Sequence, residues 1–124
     1  MPSQTGLKPI FFATPVEFRV WLAAHHATAT ELLVGVHKRE SGRPSLTWPE
    51  SVDEALCYGW IDGVRRRIDE ASYSIRFTPR KAGSVWSAVN IAKAAKLEEE
   101  GRLTDAGRAA FARRRENRSG IYAY

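Results

Sequence analysis

The residues of this sequence best equipped for chemistry fall in two short spans. In Cys57-Tyr58-Gly59-Trp60-Ile61-Asp62-Gly63, a tryptophan and an aspartate lie between two glycines, just ahead of Arg65-Arg66-Arg67. Further on, Arg76 and the pair Arg80-Lys81 precede Ser84-Val85-Trp86-Ser87 and Asn90. Asp62 is the candidate general base. The arginines are candidate clamps for an anionic group, because a guanidinium meets a carboxylate or phosphate through two parallel hydrogen bonds. The competing reading is structural: an aspartate among arginines also serves as their ion-pair partner.

Other chemistries lack their residues. His25 and His26 are adjacent, His37 falls on a predicted strand, and one cysteine completes no ligand pattern, so neither metal nor cofactor is expected. Cys57 precedes a predicted helix C-terminus, where the dipole disfavours a thiolate, so it reads as a small buried residue. His25 reads as packed on the apolar face of the first helix. There is no glycine-rich phosphate loop, no GxSxG elbow and no HExxH.

The elements that must position these residues follow from periodicity and caps. Thr14-Pro15-Val16-Glu17 is a capping box, and Phe18, Trp21, Leu22 and His25 share one face of a helix running to about residue 26. Glu31 to Lys38 alternates as a strand with Leu32, Val34 and Val36 on one side. A second box, Thr47-Trp48-Pro49-Glu50, opens a helix that Gly59 stops. Val64–Asp69 and Tyr73–Thr78 predict a hairpin centred near residues 70 and 71. Tyr73, Ile75 and Phe77 then face the core, with Val64 and Ile68 on the same side. Ser84 is the expected cap of a helix with Val85, Ala88, Val89 and Ala92 inward, and Thr104 caps a last short helix.

The expected fold is therefore α+β: a small antiparallel sheet of about three strands with helices on one face, in the order α-β-α-β-β-α-α. Residues 1–112 form the domain, and 113–124 form a basic and aromatic tail. In the hairpin register, Arg65 lies opposite Arg76 and Arg67 opposite Ser74, a like-charge pairing that calls for carboxylates or an anionic ligand. A slip of one residue would move Arg66 into that role. Arg80, Lys81, Ser84 and Ser87 gather at a helix N-terminus, which attracts anions. Trp86 and Asn90, four apart, would share a helix face and make a flat wall with a hydrogen-bonding edge.

The stretch from Ala55 to Gly63, Arg76-Phe77-Thr78-Pro79-Arg80-Lys81, and Ser84-Val85-Trp86-Ser87 with Asn90 together resemble the YdeI/OmpD-associated family, also labelled bacteriocin-protection proteins. The likeness runs from Phe18-Arg19-Val20-Trp21-Leu22, through Ser45-Leu46-Thr47-Trp48, to the segment Gly101–Gly107. It implies a bacterial protein linked to stress or antimicrobial-peptide resistance and brings no catalytic mechanism with it; many members of that family are longer, with a further helical segment after the equivalent of Tyr124. The family's motif positions and the residue-by-residue reading coincide at Trp60, Asp62, Arg76, Arg80, Ser84, Trp86, Ser87 and Asn90.

The net charge of +5 favours anionic partners, and a lone cysteine fits a reducing compartment. No run is long and apolar enough for membrane insertion, and the N-terminus has no export segment, so a cytoplasmic location is expected. The leading reading is a non-catalytic module binding a small anionic or nucleotide-like ligand. Its ligand-binding residues would be Trp60, Asp62, Arg65, Arg76, Arg80, Lys81, Ser84, Trp86, Ser87 and Asn90. The alternatives are an enzyme using Asp62 in the same pocket and a domain that meets a protein partner. Nucleic acid is disfavoured, because the basic run from Arg113 to Arg118 has no aromatic stacking partners close by.

Overall fold

The computed structural model describes residues 7–81 and 83–113; apart from Arg113, the expected tail lies outside the described residues. The elements are β1 (Ile10–Phe11), α1 (Pro15–His25), β2 (Leu32–His37), a 3-10 turn (Arg39–Ser41), α2 (Trp48–Cys57), β3 (Trp60–Asp69), β4 (Ser72–Pro79), α3 (Ala88–Glu99) and α4 (Asp105–Ala112). The caps form where the side-chain chemistry asks for them. Thr47 accepts from the Glu50 N–H while the Glu50 carboxylate accepts from the Thr47 N–H, closing a reciprocal box. At α1 the reciprocal arm lands one residue earlier: Thr14 accepts from Glu17 N, but Glu17 accepts from Ala13 N at 2.8 Å.

The sheet differs from expectation. It has four strands in the order β1-β2-β4-β3, and β1 runs parallel to β2, so it is mixed rather than a three-stranded antiparallel sheet in an α-β-α-β-β-α-α chain. A two-residue strand has no alternation of its own to read. Ile10 and Phe11 become a strand only because β2 offers a free edge.

One face of the sheet carries the main core. Leu32, Val34, Val36, Trp60, Ile75 and Phe77 pack with Phe18 and Leu22 of α1 and Ala55 of α2. Complete burial of such a side chain contributes about 1.5–3 kcal/mol. On the other face, Phe11 lies against Gly35 and stacks on His37 at 4.3 Å. Helix α2 is shared between two cores, because Val52, Leu56 and Cys57 face Trp86, Ala94, Leu97 and Ala110 from the α3–α4 side.

The hairpin forms with a shifted register. Arg65 pairs with Ile75, Arg66 with Ser74 and Arg67 with Tyr73, while Asp62 pairs with Phe77. Irregularities between Asp62 and Arg65, and between Arg67 and Asp69, change the count along β3. Gly63 and Val64 together stand opposite Arg76, so the expected Arg65–Arg76 pairing does not occur. Val64 and Ile68 are exposed rather than core-facing. The other expectation to fail is the start of α3: Ser87, not Ser84, caps it, by accepting from Asn90 N. Its buried residues are Asn90, Ala94 and Leu97, while Val89 stays exposed. His25 is also exposed, resting on Trp21 at the surface.

Candidate functional site

A cleft of about 490 Å³ opens where β3, the end of β4 and the start of α3 converge, a size typical of small-ligand sites. Its polar lining is Asp62, Arg80, Ser87 and Asn90; its apolar lining is Trp48, Ile61 and Val85, with Gly63 at the rim. Each wall has a local cause. The bulge at Gly63–Val64 lets Asp62 and Arg65, three apart in sequence, both point to the helix-covered side. Strict alternation would set them on opposite faces.

Asp62 is fixed from α2: the Trp48 indole N–H donates to its Oδ2 at 3.0 Å. Arg80 follows β4, where its N–H donates to Gly59 O at 2.9 Å. Gly59 ends α2 with φ of +76°, a conformation that glycine adopts without steric penalty. The Arg80 guanidinium lies 3.8 Å over the Trp86 ring and donates to Ser84 Oγ, and the residue is only 9% exposed. Ser87 and Asn90 enter from the first turn of α3, with Asn90 3% exposed.

The ten sequence-predicted residues divide. Asp62, Arg80, Ser87 and Asn90 line the cleft, and Ser84 supports Arg80. Trp60 belongs to the main core, in edge contact with Trp21. Trp86 belongs to the second core, against Phe111 and beneath Arg80, and it precedes α3, so it shares no helix face with Asn90. Arg76 turns to the other face of the sheet and pairs with Glu31 at 2.9 Å. Arg65 sits beyond Trp48, over Tyr73, and Lys81 is exposed.

Sequence reasoning missed Trp48. Four residues before Val52, it falls on the apolar stripe of α2 and so reads as core, and both cores do pack against it; its reach to Asp62 has no local signal.

The arrangement offers one positioned carboxylate, one stacked guanidinium, an amide and a hydroxyl around an aromatic wall. It can bind a ligand with both donors and acceptors. Among the described residues, no group of three or more His, Cys, Asp and Glu side chains is placed to hold a metal ion. No described helix is long and apolar enough to cross a membrane.

No curated protein and no solved structure matches the chain. A family model described as a domain of unknown function (DUF8412) matches residues 10–110, a span that contains the whole cleft, and the chain belongs to that family.

Proposed function

We propose that the domain is a small-ligand binding module whose ligand occupies the Asp62–Arg80 cleft, with an acidic group toward Arg80 and a hydrogen-bond donor toward Asp62. The observation that carries this reading is the convergence of Asp62, Arg80, Ser87 and Asn90, from three separate elements, on one open cavity. Stacking on Trp86 and the bond to Ser84 hold the guanidinium before any ligand arrives, which lowers the entropy lost on binding. A single guanidinium balanced by a carboxylate suits a singly charged or zwitterionic ligand better than a polyphosphate. The resemblance to YdeI/OmpD-associated proteins adds a setting of stress or antimicrobial-peptide resistance, and the family match does not bear on that point.

The test is a thermal-shift panel of small carboxylates, amino acids, sugar acids and nucleotides, run on wild type, Arg80→Lys and Asp62→Asn. A ligand that binds only the folded chain raises Tm by mass action. The reading expects a selective hit whose shift is lost in Arg80→Lys, because lysine cannot reproduce the stacked fork. A panel without hits, or hits indifferent to both substitutions, overturns it.

A further inference from the structure

Arg65 lies on the far side of Trp48 from the cleft, in a second hollow of about 400 Å³. This hollow is formed by the end of β2, the 3-10 turn, the start of α2 and the middle of the hairpin. Lys38, Arg39 and Arg65 all line it, against one carboxylate, Glu40. Among the described residues, none of these three cations has a carboxylate within ion-pairing distance. Arg19, Arg76 and Lys93, by contrast, each have one, and Arg102 and Arg108 each have two. Three cations against one carboxylate leave the hollow with an excess of positive charge, and an anion there relieves the repulsion among them.

The guanidinium of Arg65 is already placed. It lies 3.9 Å over the Tyr73 ring and 5.2 Å from the Trp48 ring centroid, so two aromatic rings hold it by cation–π attraction. A guanidinium held against rings in this way still has its five N–H donors to offer to a phosphate oxygen. The register shift makes this possible by bringing Arg65 opposite Ile75, on the side of the sheet that α2 covers.

We propose that this hollow is a second ligand site, separate from the Asp62–Arg80 cleft, and that it takes the phosphate group of a small phosphorylated molecule. Three cations from two segments fit a tetrahedral dianion better than a planar monoanion, and the Trp48–Pro49 wall accepts the apolar part of whatever carries the phosphate. The site does not depend on the first cleft, and Trp48 is the partition between them.

The experiment is a titration of the whole chain with inorganic phosphate, pyrophosphate, adenosine monophosphate and a single-stranded oligonucleotide, at low and high salt. It is read by the indole N–H resonance of Trp48. The variants are Arg65→Gln and the double change Lys38→Gln with Arg39→Gln in the exposed turn. Arg66→Gln is the control: it removes the same unit charge from the opposite face of β3.

The expected result is a saturable shift with a small phosphate, weakened about tenfold or more by Arg65→Gln and by the turn variant, a loss of about 1.4 kcal/mol or more. Arg66→Gln should have little effect. Equal weakening by Arg65→Gln and Arg66→Gln would mean general charge attraction and overturn the site. So would silence with every small phosphate, or binding confined to the oligonucleotide.

Discussion

Trp48 and Asp62, 14 residues apart, are joined by a 3.0 Å hydrogen bond from the indole N–H to a carboxylate oxygen. The bond ties the first turn of α2 to β3 and stands the indole between two hollows. Asp62→Asn keeps an acceptor for the indole, so it should cost less than about 1 kcal/mol. Trp48→Phe deletes the donor to a charged group and should cost about 1.5–3 kcal/mol. Urea midpoints at unchanged m-value measure both, and equal losses would refute the assignment.

Gly107 decides how closely α4 approaches α2. A helical Gly→Ala change ordinarily gains roughly 0.5–1 kcal/mol. Here the added Cβ would run into the carbonyl oxygen of Cys57 and lie 2.9 Å from that of Leu56. Backbone cannot step aside cheaply, so Gly107→Ala should destabilise by about 1–3 kcal/mol. A gain in chemical-denaturation stability would contradict the tight α2–α4 contact.

Two carboxylates should pull stability in opposite directions with pH. Burial holds Glu54 above the ordinary carboxylate range, against the pull of Arg19 and Arg102 on its two oxygens. The folded chain then keeps a proton that the unfolded chain releases, so stability falls as pH rises through that window and levels off above it. The Ala71 N–H and the Ser72 hydroxyl hold Asp69 below its ordinary range. Its contribution is complete above the unfolded titration and is lost as pH falls through the folded one. Unfolding free energies followed from below the ordinary carboxylate range to above it should show the slope on the upper side vanish in Glu54→Gln and the slope on the lower side vanish in Asp69→Asn.

The Cys57 thiol is buried, and burial together with the Glu54 charge pushes its pKa up to about 11. Near neutral pH it should react with a disulfide reagent only through opening of the fold. Labelling should therefore accelerate with denaturant in step with global unfolding. Fast labelling of the native chain would place Cys57 at the surface.

Much of the local structure was legible in the sequence. The starts of α1 and α2, the inward face of β2, the core positions of Ile75 and Phe77, and the half-buried Tyr73 packed beside them follow from caps and alternation. The candidate site was half legible. Asp62, Arg80, Ser87 and Asn90 do meet, but Trp60 and Trp86, equally prominent in the sequence, are core. A tryptophan's type says nothing about which of its faces a distant element will cover.

By itself the sequence determined that α1, β2, α2, the hairpin and α4 would form, because capping hydroxyls, proline positions and periodicity act within a turn or two. Tertiary structure alone decided that β1 exists, that α3 starts at Ala88, and that Arg65 faces α2 rather than Arg76. The first rests on edge pairing and the last on a bulge at Gly63–Val64. Both are fixed by contacts with chain far away in sequence, where local preference has no reach.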